Sequence, residues 1–162
     1  MRCSIFNAAL DTGNLGVSAL GLSLVHGIGS RLPSAQITVF DYSRGLRRGD
    51  CDDVAFEQLG ATPTRRWYRT ESHALIESSL WAGFPCGPSA ARLSETDAFV
   101  DISGGDSFTD LYGLRRLRSV AWPKQLALRL DRPLILPPQT YGPFESAEAR
   151  RLATRLVRGS TA

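Results

Sequence analysis

Residues Asp97 to Asp110 read "DAFVDISGGDSFTD", and the reading of this stretch decides the fold. A short apolar run, Ala98 to Val100, passes through Asp101 into two consecutive glycines set among serine and aspartate. An apolar run of that length, bounded by turn residues, reads as a strand buried on both faces, the kind that parallel sheets use. The glycines after it let backbone approach a ligand or a neighbouring segment closely. A strand whose carboxyl end opens into a polar loop is therefore expected here.

The same pattern recurs on either side. "CSIFNAAL", from Cys3 to Leu10, is a second apolar run ending in the loop "DTGNLG", after which Val17, Leu20, Leu24, Val25 and Ile28 fall at helical spacing. "AQITVFD", Ala35 to Asp41, is rich in β-branched residues and reads as a strand. Tyr42 to Thr70 mixes turn residues and charges, with one further short strand expected inside it. Ser72 to Trp81 reads as a helix that stops at the breaker cluster "GFPCGPS", and Ala90 to Ser94 closes another short helix. Leu114, Leu117 and Ala121 mark a helix expected to break at Pro123 and restart from it. "RPLILPPQTYGPF", Arg132 to Phe144, runs from a buried strand into a proline-rich loop. Ser146 is then the expected N-cap of a last helix, with Ala149, Leu152, Ala153 and Leu156 as its apolar stripe. Strands alternating with helices imply the α/β class: a Rossmann-like parallel sheet with helices on both faces.

Composition sets the bounds. The 162 residues suffice for one domain with a sizeable core, and 43% hydrophobic against 22% charged residues places the chain among folded globular proteins. No run approaches the roughly 18 to 20 apolar residues of a membrane span. The start of the chain shows no secretory signal, so a cytoplasmic location is expected. Cys3, Cys51 and Cys86 are odd in number and lack CxxC spacing, which argues against a disulfide framework and a zinc site. The net charge of +3 is almost wholly arginine, in short pairs such as Arg47-Arg48, Arg115-Arg116 and Arg150-Arg151, with Lys124 the only lysine. Read along the chain these pairs are scattered among acids, so no nucleic-acid partner is expected.

Three polar loops follow three apolar strands: "DTGNLG", "SGGDSFTD" and "PQTYGPF". In a parallel sheet all three lie at strand carboxyl ends, where open α/β folds bind ligands. Gly13 and Gly16 allow a tight first loop that could bring helix N-terminal amides to an anion, with Asn14 beside them. A plain βα turn is the competing account, because the spacing is neither GxGxxG nor a P-loop. Gly104 and Gly105 allow close approach while Asp106, Ser107 and Asp110 present groups suited to a polyol, against the alternative of a capped turn. Asp101 is either a ligand contact or a residue satisfying its own loop's amides. His26 and His73 show no neighbouring nucleophile pattern, and no clustered Cys/His suggests a metal.

"DTGNLGVSAL", then "SGGDSFTDLYG" and "KQLALRLDRPLILPPQTYGPF", in that order on either side of the middle segment, resemble the amino-terminal part of the polysaccharide pyruvyl transferases. The resemblance touches both ends of the chain, and Tyr42 to Ser94 matches poorly. It implies one lobe of a fold like the B-type glycosyltransferases, with residues 1–162 as the amino-terminal lobe and a second lobe absent from this chain. It further implies transfer of the pyruvyl group of phosphoenolpyruvate to two hydroxyls of a cell-surface polysaccharide sugar, with no cofactor beyond that donor substrate. The substrate-binding positions it implies are Asn14, Gly16, Gly104, Gly105, Asp106, Gln139, Gly142 and Pro143. Many members carry an acidic residue where this chain has Val17. No catalytic residue is assigned, since the chain offers arginines and carboxylates but no evidently activated histidine or lysine. The expected partners are a sugar or polysaccharide-precursor acceptor and a second lobe or second copy. The competing functions are a non-catalytic carbohydrate-binding or assembly module and another sugar-nucleotide transferase of the same architecture.

Overall fold

The computed structural model describes residues 1–10, 13–103 and 107–161. Apolar runs bounded by turn residues become strands β1 (Arg2–Phe6), β2 (Gln36–Asp41) and β5 (Ala98–Asp101), each buried along almost its whole length. β1 pairs in parallel with β2 on one side and with β5 on the other. β4 (Val54–Gly60) and β6 (Leu134–Ile135) extend the parallel ladder outward, and β3 (Arg47–Cys51) closes one edge antiparallel to β4. The order across the six-stranded sheet is β3-β4-β2-β1-β5-β6, an α/β fold of the Rossmann-like kind.

Helices cover both faces. α1 (Leu15–Arg31) packs Val25, with Leu24 and Ile28, on the face formed by Ile5, Ile37, Val39 and Val100. α2 (His73–Trp81), α3 (Gly87–Ser94) and α4 (Leu114–Arg129) cover the other face, where Phe6, Phe40, Leu59 and Phe99 meet Ile76, Leu93, Trp122 and Leu126. The Phe6 ring stacks on both Phe40 and Phe99, centroids 4.6 and 5.8 Å apart, so three neighbouring strands share one aromatic layer. α5 (Ala147–Gly159) packs the expected stripe on α4 in a third cluster, and Ser146 caps it by accepting from the Ala149 amide at 3.1 Å.

Two expectations need correction. The middle segment holds two strands rather than one, because the arginine-rich β3 is an edge strand whose side chains need no apolar alternation. Its turn places Asp52 and Asp53 at φ 46° and 67°, the conformation of a two-residue hairpin. The second correction concerns Pro123, which does not break α4: the helix runs unbroken from Leu114 to Arg129. Proline removes the amide that would serve the Ser119 carbonyl, but the ring is buried in the core. The adjacent carbonyl of Val120 accepts from Asn7 Nδ2 at 3.2 Å and from Lys124 Nζ at 3.1 Å. Asn7, from the end of β1, thus bonds the turn that carries Pro123, and Lys124 returns its side chain to the same carbonyl.

Candidate functional site

β1 lies between β2 and β5, so the chain winds outward on one side of β1 and then returns to the other side. The crevice outside the carboxyl ends at such a reversal is where open α/β sheets bind ligands. Phe6 and Asp101 are register partners at this point, and the next residue after β1 is Asn7.

Asp101 organises the crevice. Its Oδ1 lies 2.9 Å from Lys124 Nζ and accepts from the Ser103 amide at 2.8 Å and the Ser103 hydroxyl at 3.2 Å. Its Oδ2 accepts from Asn7 Nδ2 at 2.9 Å, and its backbone carbonyl accepts from Gln139 Nε2 at 3.2 Å. One residue therefore ties the end of β1, the loop after β5, helix α4 and the loop after β6. Of the two readings open for Asp101, the structure carries the second: the carboxylate satisfies its own loop and a buried cation.

The cation is Lys124, fully buried with Asp101 at 0% and 1% side-chain exposure. Burial pushes its pKa below the ordinary lysine range, and the Asp101 carboxylate pulls it back. The ammonium also sits 4.7 Å from the centre of the Phe108 ring, a cation-π contact in a desolvated setting. Composition reasoning passed over this residue. The available signal was a single lysine in a chain otherwise using arginine, set among the apolar residues Val120, Ala121, Ala127 and Leu128.

Asn7 and Ser103 stand at φ 54° and 49°, left-handed conformations at the ends of adjacent strands. Asn adopts that region readily, whereas Ser103 is held there by the Asp101 carboxylate it donates to.

The loops after β5 and β6 are stapled together. Phe108 and Tyr141 form a parallel bridge, the Gly142 amide donates to the Phe108 carbonyl at 2.9 Å, and Thr109 Oγ1 donates to the Pro143 carbonyl at 2.5 Å. Asp110 completes the staple, accepting from the Glu145 amide at 2.8 Å and from the Ser146 amide and hydroxyl at 2.9 and 2.8 Å. These bonds, the Ser146 amide first, hold its carboxyl below the usual aspartate range. Asp110 is thus a loop staple rather than a free polyol ligand.

The sequence-derived positions fall into four groups. Asn14 caps α1, its Oδ1 accepting from the amides of Gly16 and Val17 at 3.1 and 3.3 Å, so those two amides are already used. Gly142 and Pro143 spend a backbone amide and a carbonyl on the staple, and Gly142 has φ 83°, where a side chain is strained. Gln139 keeps an open group: Nε2 donates to the Asp101 carbonyl and to Tyr141 Oη, each at 3.2 Å, while the buried Oε1 has no hydrogen-bond partner among the described residues. Gly104, Gly105 and Asp106 lie outside the described residues.

The crevice continues toward α2. Phe6, Asn7, Asp41, His73, Ser119 and Trp122 line a cavity of about 20 Å³, room for one water. The His73 ring lies flat on Trp122, centroids 3.7 Å apart and planes within 4°. Burial lowers the His73 pKa to about 4, opposed by a hydrogen bond to the Ala61 backbone, so the ring is neutral near pH 7. Trp122 is fixed in turn by donating Nε1–H to Glu77 Oε2 at 3.2 Å. Asp41 is occupied by the Arg47 guanidinium and the Ser43 amide.

His26 has Ser30 Oγ 3.2 Å from Nε2 and Asp52 Oδ2 3.6 Å from Nδ1, the order of a hydrolase triad. Ser30 nevertheless donates its hydroxyl proton to the His26 carbonyl at 2.7 Å, and His26 and Asp52 are 48% and 79% exposed. That is surface helix back-bonding, not an activated nucleophile. Among the described residues no group of His, Cys, Asp or Glu could hold a metal ion, and no helix is long and apolar enough to cross a membrane.

No family model, no curated protein and no solved structure matches the chain.

Proposed function

We propose that the switch-point crevice is the acceptor side of a pyruvyl transferase, holding the sugar that receives the pyruvyl group of phosphoenolpyruvate. The single observation that carries this reading is the buried Gln139 Oε1, without a partner among the described residues, beside the Asp101 network. A buried acceptor left open costs about 1–3 kcal/mol, so a ligand that brings a donor there is favoured, and a sugar hydroxyl is such a donor. The exposed Tyr112 and Tyr141 stand on the two stapled loops, and Trp67 and Tyr68 on the segment after β4, as flat surfaces on which a sugar ring can stack.

In the proposed reaction the methylene carbon of phosphoenolpyruvate takes a proton and one sugar hydroxyl oxygen bonds to the adjacent carbon. The bond from that carbon to the phosphate oxygen breaks, and the second hydroxyl oxygen closes the ketal. Of the two hydroxyl protons, one balances the proton placed on carbon and the other leaves with phosphate. In this scheme Gln139 accepts from an acceptor hydroxyl. Asn7, Asp101 and Lys124 hold the loops that frame it. Neutral His73, clamped on Trp122, keeps the adjoining wall uncharged.

A second reading has an observation of its own. Lys124 is sealed from solvent and His73 is neutral near pH 7, which leaves no accessible cationic acid among the described residues of the crevice. That favours a carbohydrate-binding module without catalysis. The experiment that separates them follows phosphate release from phosphoenolpyruvate by the purified chain against a panel of glycans. Acceptor-dependent release supports transfer. Glycan binding without release supports the binding module, and release with a nucleotide sugar as the only productive donor would assign a different transferase.

A further inference from the structure

α4 and α5 carry nine of the chain's 19 lysine and arginine residues but only one of its 16 acidic residues, Glu148. A protein of net charge +3 therefore divides into two packed helices at +8 and a remainder at −5. Arg118, Arg151 and Arg155, far apart in the sequence, meet along one groove because α5 packs on α4. Lys124 is buried against Asp101, and the remaining eight cations are exposed arginines. Arg118 pairs with Glu148 at 2.7 Å and Arg129 with Glu77, while Arg150 donates to the carbonyls of Phe144 and Glu145. Arg115, Arg116, Arg151, Arg155 and Arg158 have no carboxylate partner among the described residues.

Between the helices runs an open groove of about 620 Å³ lined by Arg118, Arg151 and Arg155, by one carboxylate, Glu148, which Arg118 pairs, and by Trp122, Gln125 and Leu152. The spacing follows from helix geometry: 118, 122 and 125 share one face of α4, and 151, 152 and 155 share one face of α5. Arginine stems thus flank a recessed apolar floor, and the charged heads project beyond it.

We propose that this α4–α5 face is a contact surface for an anionic phospholipid bilayer. Three observations favour that partner. The charge extends along helices about 24 and 20 Å long instead of pooling at one point, which suits a plane of fixed negative charge. Among the described residues, neither helix exposes an aromatic side chain on which an unpaired base could stack, and Val157 is their one exposed large hydrophobic residue. No described helix is long and apolar enough to cross a bilayer, so attachment through this face is peripheral and electrostatic. The inference stands apart from the reading of the crevice, which lies at the sheet's carboxyl edge.

The test is co-sedimentation of the full chain with vesicles of phosphatidylcholine alone and vesicles containing phosphatidylglycerol, with duplex DNA as a separate titrant at the same ionic strength. The chain should bind only the anionic vesicles and be released by salt, because the attraction falls away within a Debye length. Arg151→Ala with Arg155→Ala should weaken partitioning roughly 25-fold, two charges at about fivefold each. Arg48→Ala, an exposed arginine on β3, should leave it unchanged. Equal binding to neutral vesicles, no binding to either, or no effect of the double substitution overturns the proposal. Tighter binding to duplex DNA than to anionic vesicles overturns it in favour of a nucleic-acid partner.

Discussion

Asp101 Oδ1 and Lys124 Nζ lie 2.9 Å apart with essentially no solvent access, directly beneath the point where the strand order reverses. A buried ion pair of this kind is weak evidence for stability in itself, because desolvation of both charges offsets their attraction. Its removal by halves is another matter. Lys124→Met leaves the Asp101 carboxylate buried without its cation and should destabilise the fold by about 3–5 kcal/mol in chemical denaturation. Lys124→Met with Asp101→Asn should cost clearly less than the two single losses added together. Strict additivity would mean that the pair is not coupled.

His73 makes stability depend on mild acid. Its folded pKa, lowered to about 4, lies below the ordinary value near 6.5, so the unfolded chain takes up a proton that the folded one refuses. Stability is therefore full above about pH 6.5 and falls as the pH drops toward 4, by at most about 3 kcal/mol. His73→Gln should flatten that part of the pH profile of unfolding free energy. An unchanged slope would show that another group carries it.

Asp110 acts in a lower window. Its carboxyl is depressed by the Ser146 and Glu145 bonds, so the stability it supplies is present above the ordinary aspartate range and is lost as pH falls through its folded value. Asp110→Ala should speed hydrogen exchange at the amides of Glu145 and Ser146 selectively, with β1 and β2 unaffected. Uniform acceleration over the chain would mean that the staple is not local.

Gly29 sets how closely α1 approaches the sheet. A Cβ there would sit 2.3 Å from Val54 Cγ1, on a stiff β-branched side chain that cannot swing away. Gly29→Ala should cost about 1–3 kcal/mol in thermal or denaturant unfolding, and adding Val54→Ala should restore most of it.

Much of this architecture is legible in the residues. The fully buried strands β1, β2 and β5, the Ser146 cap and the stripe of α5 all follow from apolar runs, cap chemistry and helical spacing. β3 escapes because an edge strand of arginine, glycine and aspartate lacks the apolar pattern that marks a strand. α4 escapes at Pro123 because the core that buries the ring, and Asn7, which bonds the same turn from 113 residues away, are supplied by the tertiary fold. Sequence position places Gln139, Gly142 and Pro143 in one loop but does not reveal that two are consumed by the staple and one keeps an open acceptor. The Asp101–Lys124 pair is invisible for the same reason: the sequence marks Lys124 only as the single lysine, and the tertiary fold supplies both its burial and its partner.

The central claim is that Gln139 Oε1 is the open acceptor of a sugar site. The most direct measurement is a glycan titration of the isotope-labelled chain by NMR, comparing wild type with Gln139→Leu. The account predicts saturable shifts at Asn7, Ser103 and Gln139 in the wild type and at least a tenfold weaker affinity in the variant, the loss of one hydrogen bond to a buried group. Equal affinity in the two proteins, or shifts confined to surfaces away from the carboxyl edge of the sheet, would contradict it.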